Sequence, residues 1–288
     1  MVRVIYVNGR YRRYAEASVH VEDRGLQFAD SIYEGIGVWR RRLIDYGLHY
    51  ERLCRSAAEI GLELPCTMES LSFVAYECIR RNHVQEGLVY VQVTRGAASR
   101  QHIFPASAKP LLIVIATPMV PAVDRFPNGV KVVTRPDLRW RRCDIKSTAL
   151  LPNILAKQAA SEMGAYDAWL IDTEGQITEG GSTNAWIAVG GDLVTRKPSD
   201  AMLSGVTRAT VIKLARENGL KVLEQPFSVE EACAADEAFL TSTTSSVMPV
   251  VRIDERNIGD GKVGPVVAQL RKLYRSYLDS RSYAFPAR

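Results

Sequence analysis

The sequence predicts a protein of the α+β class with two domains joined by a short linker. Both halves of the 288 residues mix alternating, β-branched segments with amphipathic helical segments. Between the halves, turn-forming residues crowd one stretch: Pro118, Pro121, Pro127 and Asn128-Gly129. We therefore expect a smaller N-terminal domain over residues 1–118, a linker over 119–130, and a larger C-terminal domain over 131–288 that includes Lys146.

The N-terminal domain is predicted to open with a hairpin, because Asn8-Gly9 is flanked by two strand-like segments. A helix that ends at Gly61 follows, and a second helix begins behind the capping candidate Thr67. The predicted strands are 2–7, 10–14, 88–94 and 111–117, and the predicted helices are 51–60 and 68–81.

The C-terminal domain shows the same mixture of elements. Pro152 is typical of a helix start, Gly219 of a helix end, and Ser228 with Glu231 of a capping box. The predicted strands are 131–135, 168–172, 185–189 and 237–240, and the predicted helices are 151–163, 205–218 and 263–278. Ligand sites favour the cleft between two such domains.

Composition excludes several classes of protein. The net charge of +5 comes from 37 basic and 32 acidic residues scattered along the chain, so a nucleic acid partner is not expected. No apolar run reaches the roughly 18 residues of a membrane span, and the N-terminus lacks a signal-peptide pattern. We expect a cytoplasmic protein with no membrane contact. The five cysteines are widely spaced, so neither a disulfide framework nor a zinc site or other metal centre is indicated.

Lys146 is the lysine best placed for chemistry. It follows a strand-like stretch and precedes the helix that Pro152 opens, where a side chain can point from a rigid element into a cleft. A desolvated lysine in such a place can form a Schiff base. Taken alone, a solvated surface lysine is the commoner case.

Several segments of the C-terminal half suit a phosphorylated cofactor. Glu179 lies in a polar, glycine-bearing turn over residues 178–184, where a carboxylate can keep a pyridinium nitrogen protonated. The helix start at Gly205 with Thr207, and the hydroxyl-rich loop 241–246, each suit a phosphate. Arg52, opening a helix after His49, can add a bidentate clamp. Each feature also has a plain structural interpretation, as an exposed turn, a cap or an ST-turn.

Arg100 and His102 lie two residues apart in a loop after a predicted strand. The planar fork of an arginine and a hydrogen bond from a histidine together can hold a carboxylate. A solvated basic loop is the alternative.

These residues form part of an ordered series of motifs that runs along nearly the whole chain. The series resembles the D-amino-acid transaminases of pyridoxal 5'-phosphate (PLP) fold type IV. The matching segments are Glu22-Asp23-Arg24-Gly25 with Phe28 and Asp30, Tyr33-Glu34, Glu51-Arg52-Leu53, Val91-Gln92-Val93-Thr94-Arg95-Gly96, Arg139-Trp140, Arg142-Cys143-Asp144-Ile145-Lys146-Ser147, Thr178-Glu179-Gly180, Gly205-Val206-Thr207-Arg208 and Thr241-Ser242-Thr243-Thr244-Ser245.

The resemblance implies a two-domain fold with the cofactor in the interdomain cleft. It implies ping-pong transamination between D-amino acids and 2-oxo acids, such as D-alanine with 2-oxoglutarate. Lys146 would hold the cofactor and move the substrate proton, and Glu179 would pair with the pyridine nitrogen. The implied phosphate ligands are Arg52, Val206, Thr207 and Thr243; the implied substrate-binding residues are Tyr33, Tyr90, Arg100 and His102, the last two reaching across from the partner subunit of a homodimer.

Two departures from the family pattern leave alternatives open. Gly35 after Tyr33-Glu34 is more frequent in branched-chain L-amino-acid aminotransferases, and Gly181 stands where a serine usually follows Glu-Gly. The alternatives are a branched-chain enzyme, an aminodeoxychorismate lyase, or a non-catalytic PLP-binding protein. The Arg100-x-His102 pair favours the D-specific interpretation.

Overall fold

The computed structural model describes residues 3–120 and 122–281, which form two compact units. Among these residues, unit 1 comprises those up to Val120, Ile145–Ala149 and residue 281; unit 2 comprises residues 122–144 and Leu150–Ser280. Both units combine helices with a sheet, which confirms the predicted fold class. Lys146 therefore lies in unit 1, whereas the sequence placed it in the second domain. Val2 of the first predicted strand and Pro121 of the predicted linker lie outside the described residues.

Unit 1 contains an antiparallel sheet of six strands with the order β2-β1-β6-β5-β3-β4. Its strands are β1 (Val4–Val7), β2 (Arg10–Arg13), β3 (Ser31–Trp39), β4 (Arg42–Leu43), β5 (Gly87–Thr94) and β6 (Leu111–Pro118). Its α-helices are α1 (Arg24–Phe28), α2 (Tyr46–Glu59) and α3 (Met68–Arg81). Helix α2 packs on β3 and helix α3 on β6.

The core of unit 1 is built by the alternation of side chains along β3. Ile32 and Ile36 project to the same face and join a buried cluster with Leu53 of α2 and Leu71 of α3. Tyr33, one residue out of phase, projects to the opposite face, where it is half-buried. One strand therefore carries both a core face and a face that holds candidate site residues.

Unit 1 confirms some sequence predictions and corrects others. Helix α3 has the predicted bounds, and the Thr67 side chain caps it by accepting from Ser70 N–H. Helix α2 begins at Tyr46, five residues before the predicted start, so Arg52 lies inside the helix and does not open it. Strand β3, the central element for the site, was not predicted at all.

Unit 2 contains a mixed sheet of nine strands with the order β12-β11-β10-β13-β14-β7-β8-β9, in which β15 pairs with β14. Its strands are β7 (Val130–Pro136), β8 (Asp167–Ile171), β9 (Ile177–Gly180), β10 (Asn184–Val189), β11 (Asp192–Thr195), β12 (Val222–Glu224), β13 (Glu237–Ser242), β14 (Ser246–Ile253) and β15 (Arg256–Asn257). Its helices are α4 (Ala122–Arg125), α5 (Leu151–Glu162), α6 (Val206–Glu217), α7 (Val229–Ala234) and α8 (Pro265–Ser280).

Helix α5 packs on β7 and β8, and helices α6 and α8 pack together over β13. The predicted capping box is present, because Ser228 Oγ accepts from Glu231 N–H and the Glu231 carboxylate accepts from Ser228 N–H. The predicted turn over residues 178–184 is corrected: Glu179 lies on strand β9, which pairs with β8. No helix in the described ranges combines the length and the apolar character needed to cross a membrane.

Candidate active site

Lys146 lies on a short segment of unit 1 that backbone hydrogen bonds fix to strand β3. Ser147 forms an isolated antiparallel bridge with Ile32. The Tyr33 N–H donates to the Lys146 carbonyl at 2.9 Å, and the Lys146 N–H donates to Ser56 Oγ at 3.2 Å. Because hydrogen bonds hold the backbone on both sides, the origin of the Lys146 side chain is fixed.

The amino group of Lys146 lies against an aromatic surface. Its Nζ is 4.3 Å from the centroid of the Tyr33 ring, and that ring is 5.6 Å from the ring of Tyr90. No carboxylate in the described parts of the chain forms an ion pair with Lys146, whereas Lys157 pairs with Asp167. An amine without a carboxylate partner gives up no ion pair when it reacts with a carbonyl group.

Tyr33, Tyr90 and Gln92 share one face of the unit 1 sheet. The strand register pairs Tyr33 with Gln92 and Gly35 with Tyr90, so these side chains project to the same side. The Tyr90 hydroxyl donates to Gln92 Oε1 at 2.9 Å. Burial, and then the neighbouring Tyr33, raise the pKa of Tyr90 to about 12. Tyr90 is therefore a hydrogen-bond donor on this face at neutral pH.

Glu34 occupies the opposite face of β3 and is almost fully buried, with 1% of its surface exposed. Arg52 donates to it from Nε at 2.7 Å and from Nη2 at 2.8 Å. Burial alone would raise the pKa of Glu34, but the charge and hydrogen bonds of Arg52, with help from His49, outweigh it and lower this pKa to about 2. Glu34 is therefore ionised at neutral pH.

His49 lies one helical turn before Arg52 and contacts the same carboxylate, with Nδ1 2.7 Å from Glu34 Oε2. Burial lowers the pKa of His49, and the charges of Arg52 and Lys146 act in the same direction against the hydrogen bond to Glu34. A neutral imidazole that faces a carboxylate donates its hydrogen bond from Nδ1–H. His49 is thus a neutral donor, and Arg52 carries the balancing positive charge.

Arg52 is the sequence-predicted phosphate ligand that the structure places in an unexpected context. Two of its donors are committed to Glu34. The bidentate pair fixes the guanidinium orientation beneath β3. Its contact with a phosphate stays a prediction.

Glu179 is the central carboxylate of the unit 2 part of the site. Its Oε1 accepts hydrogen bonds from Arg139 Nη1 and from Leu203 N–H, the latter at 3.2 Å. Its Oε2 accepts from Asn184 Nδ2 at 3.0 Å. Arg139 is itself held by Asp137, through Nε to Oδ1 at 2.9 Å and Nη2 to Oδ2 at 2.7 Å. The carboxylate is therefore fixed in orientation and balanced in charge.

Helix α6 begins beside this carboxylate. Gly205 is its N-cap, has no side chain to cap the helix, and touches Asn184 so closely that a Cβ would lie 2.0 Å from Asn184 Oδ1. Val206 and Thr207, the first two helical residues, are buried. The first turn of an α-helix exposes backbone N–H groups that suit an anion, and here no capping side chain satisfies them.

The turn that carries Thr243 lies at the same end of the unit 2 sheet. It joins β13 to β14, and the register pairs Thr241 with Asn184, the residue that contacts both Glu179 and Gly205. Ser242 Oγ accepts from Ser245 N–H at 3.0 Å and shapes the turn. Unit 2 therefore collects a carboxylate, an uncapped helix start and a hydroxyl-bearing turn in one place.

The family model of amino-transferase class IV matches residues 31–253, which is more than half of the chain and includes Tyr33, Lys146, Glu179 and Thr243. The chain belongs to the class IV amino-transferase family. This confirms the family that the sequence motifs indicated.

Relatives of this class IV aminotransferase resemble it over nearly its whole length. A protein of Staphylococcus haemolyticus named D-alanine aminotransferase is 40% identical over 280 residues, which cover 96% of this chain and 99% of the relative. A D-alanine aminotransferase of Bacillus licheniformis is 39% identical, covering 93% and 94%. The structure of a T.th. branched-chain amino acid aminotransferase complexed with N-(5'-phosphopyridoxyl)-L-glutamate has a TM-score of 0.87 at 27% identity, covering 98% and 95%.

Arg100 and His102 of this class IV aminotransferase are exposed in the chain described here. The Arg100 guanidinium lies 5.1 Å from the centroid of the Phe28 ring, and the His102 ring lies edge-on to the same ring at 5.7 Å. No hydrogen bond, ion pair or ring contact connects the pair with Tyr33 or Lys146 among the described residues of the chain. Within one chain, the pair is thus separate from the lysine it was predicted to serve.

The Gly181 departure has a structural counterpart. A Cβ at Gly181 would lie 2.8 Å from Lys157 Cγ and 3.0 Å from Asp167 Oδ1. Lys157 Nζ donates to Asp167 Oδ1 at 3.2 Å and to Ser182 Oγ at 3.3 Å. Lys157 therefore occupies the space beside Gly181, and the hydroxyl of Ser182 is engaged with it.

Several residues that shape the site had no role in the sequence predictions. Glu34 and Arg139 appeared only as parts of motifs, and their functions as charge partners depend on contacts across the sheet or between distant segments. The alternation Ile32, Glu34, Ile36 was the available signal, because it places one acidic side chain on an otherwise apolar face. Asn184 gave no comparable signal.

Proposed function

We propose that this protein is a D-amino-acid aminotransferase that uses PLP to move an amino group between D-amino acids and 2-oxo acids, with D-alanine and 2-oxoglutarate as a substrate pair. The observation that carries the proposal is the near full-length similarity to proteins named D-alanine aminotransferase, together with Lys146 on its fixed segment. The Arg100-x-His102 pair supports the choice of D over L substrates.

The donor set fits PLP. Lys146 offers a primary amine for the aldehyde, Glu179 a fixed carboxylate for the pyridine nitrogen, and the start of helix α6 an anion site for the phosphate. The solved relative with a phosphopyridoxyl ligand supports the same cofactor. When bound, PLP supplies the electron sink that makes the α-hydrogen of the substrate acidic. Val206, Thr207 and Thr243 would hold its phosphate, with Arg52 as a further cationic ligand.

In this proposal Lys146 has two duties: it holds the cofactor as a Schiff base, and after the substrate displaces it, its free Nζ takes the α-proton and returns it to the cofactor side. Glu179 holds the proton on the pyridine nitrogen. Arg139 keeps Glu179 oriented and charge-balanced for that purpose. The chain thus moves a proton at one atom, Lys146 Nζ, and holds another through Glu179.

Tyr33, Arg100 and His102 would bind the α-carboxylate of the substrate, and Tyr90 would line the same face as Tyr33. Arg100 and His102 contact Phe28 and not Lys146 within one chain, so we propose that they serve the lysine of a partner subunit in a homodimer. Exposed apolar side chains surround this loop and suit such an interface: Val21, Leu26, Ile103 and Phe104.

A branched-chain L-amino-acid aminotransferase is the second candidate. The fold similarity to the solved branched-chain enzyme and the glycine at position 35 favour it. The lower identity to that enzyme than to the D-alanine aminotransferases, and the presence of Arg100-x-His102, favour the D-specific function.

The overall reaction tests the proposal. The purified protein with PLP and 2-oxoglutarate should form pyruvate from D-alanine but not from L-alanine, and L-leucine should give no 2-oxo acid. Lys146→Ala should abolish turnover, whereas Lys109→Ala, at an exposed lysine of unit 1, should behave as the wild type. Turnover of L-leucine without turnover of D-alanine would favour the branched-chain function.

A further inference from the structure

A buried ionic cluster lies under the loop that carries Arg100 and His102. Arg24, the first residue of α1, donates from Nε to Asp30 Oδ2 at 2.7 Å. Arg95, which follows β5, donates from Nε to the same oxygen at 2.8 Å. The side chains of all three residues are less than a tenth exposed. Two guanidinium groups thus share one buried carboxylate.

This cluster is connected to the Arg100–His102 loop in two ways. Arg24 Nη1 donates to the carbonyl of Gln101, the residue between the pair, at 2.6 Å. Phe28, at the end of α1, lies under the Arg24 guanidinium at 4.8 Å and contacts both Arg100 and His102 with its ring. Arg24 therefore holds the loop backbone, and Phe28 holds the two side chains.

The far end of the same loop is also anchored. The Phe104 ring lies 3.7 Å from the Arg95 guanidinium. Arg95 in turn donates to the carbonyls of Ile60 and Gly61, at 2.7 and 2.9 Å, at the end of helix α2. An exposed loop that is fixed at its middle and its end loses less conformational entropy when its side chains bind a ligand.

We infer that Arg24 and Phe28 are positioning residues, which hold Arg100 and His102 in the arrangement that binds the substrate α-carboxylate. The inference rests on the proposed function, in which Arg100 and His102 make that contact. Neither Arg24 nor Phe28 touches the substrate in this account. Their effect passes through the backbone of Gln101 and through the shared face of the Phe28 ring.

Phe28→Leu is the most informative variant, because it removes the aromatic face and keeps an apolar side chain. It should lower kcat/KM for D-alanine about fivefold, through KM, since it removes the cation–π and ring contacts of the pair. The rate of the half-reaction with D-alaninol, which has the same amine but no carboxylate, should not change. Phe73→Leu, at an exposed phenylalanine of helix α3, is the matched control and should match the wild type with both substrates.

Arg24→Lys tests the other connection. Lysine keeps the positive charge near Asp30 but has no planar fork to reach Gln101 as well, so we expect a loss of about tenfold in kcat/KM for D-alanine and unchanged cofactor absorbance. If Arg24→Lys does not fold, Phe28→Leu still tests the inference.

A comparison with the double variant Arg100→Ala/His102→Ala separates the inference from the function on which it rests. That variant should have a much higher KM for D-alanine, and adding Phe28→Leu to it should cause no further loss. An unchanged KM in the double variant would contradict the proposed carboxylate contact, and the positioning role with it. If the double variant loses affinity while Phe28→Leu slows D-alanine and D-alaninol equally, the carboxylate contact stands and the positioning role is wrong.

Discussion

A single buried carboxylate, Glu34, organises the two polar side chains that helix α2 directs toward strand β3. It forms a bidentate pair with Arg52 and accepts from the neutral His49. Lys146 is anchored to the same stretch of β3 through Tyr33 N–H, and its charge contributes to the lowered pKa of His49. The charge state beneath the candidate catalytic lysine is therefore set by Glu34.

Glu34→Gln should destabilise the protein at pH 7 by about 3 kcal/mol, because it leaves the buried Arg52 without a charge partner. The pKa of Glu34 is lowered from 4.5 to about 2 in the folded protein, so its contribution is present above about pH 4.5 and is lost as the pH falls toward 2. Urea unfolding of both proteins at pH 7, 5, 4 and 3 should show the difference in unfolding free energy shrink at the acid end. A difference that is constant with pH would contradict this assignment.

The starts of helices α6 and α8 show two solutions to the same problem of free backbone N–H groups. Helix α8 is capped by Glu237, whose buried carboxylate accepts from Val266 N–H at 2.9 Å and from Val267 N–H at 2.8 Å. Helix α6 has a glycine at the corresponding position and no capping side chain. The first arrangement completes the helix within the protein, and the second leaves it suited to an external anion.

Glu237→Ala should lower the free energy of unfolding by about 2 kcal/mol, since two buried N–H groups lose their acceptor. The matched control is Glu230→Ala, an exposed glutamate in the first turn of α7, which should change stability by no more than about 0.5 kcal/mol. Chemical denaturation measures both. Equal effects would mean that the cap of α8 contributes nothing specific.

Gly205→Ala should weaken PLP binding and cost about 1–3 kcal/mol of stability, because the added Cβ would displace Asn184 and with it the start of α6. Gly47→Ala, at a helical glycine of α2 whose nearest Cβ neighbour would be Met68 Cε at 3.7 Å, is the control and should be neutral or slightly stabilising. Titration of the apoprotein with PLP measures the affinity. Wild-type affinity in Gly205→Ala would exclude this helix start as the phosphate site.

The elements that sequence alone could predict are those whose own residues carry the signal. Helix α3 has a capping threonine and apolar residues at helical spacing, and its bounds were predicted correctly. Strand β3 was missed because it contains two glycines, Gly35 and Gly37, and a charged residue on its buried face. Only its pairing with β5 along its whole length, together with the ion pair to α2, makes that sequence a strand.

The candidate site shows the same division. Lys146, Glu179 and Gly205 could be proposed from their local motifs. The start of α2 could not be placed, because Asp45 provides no side-chain cap, and so Arg52 was assigned to the wrong part of its helix. The partners Arg139, Asn184 and Phe28 depend on contacts between segments that are far apart in the chain, and no local pattern indicated them.

At the level of the whole chain, the five residues around Lys146 join unit 1 although the segments before and after them belong to unit 2. No local sequence signal predicts this, because it depends on the bridge between Ser147 and Ile32. A domain boundary drawn at a linker assumes that the chain leaves each domain once. Here the lysine returns to the unit that also holds Tyr33 and Arg52.

The proposed homodimer can be tested by mixing two inactive variants, Lys146→Ala and Arg100→Ala/His102→Ala. If the pair serves the partner's lysine, each mixed dimer contains one complete site, and a random mixture should recover about a quarter of wild-type activity. Sedimentation should show a dimer for both parents. If the pair serves the lysine of its own chain, no subunit in the mixture is complete and the activity should stay at the parental level.

The central claim is that Lys146 exchanges an amino group with D-amino acids, and the single half-reaction tests it most directly. The PLP-loaded protein is mixed separately with D-alanine and with L-leucine, without an acceptor, and the visible absorbance of the lysine-bound cofactor is followed. We predict rapid loss of that absorbance with D-alanine, little change with L-leucine, and no such band in Lys146→Ala. Rapid loss with L-leucine alone, or an intact band in Lys146→Ala, would contradict the account.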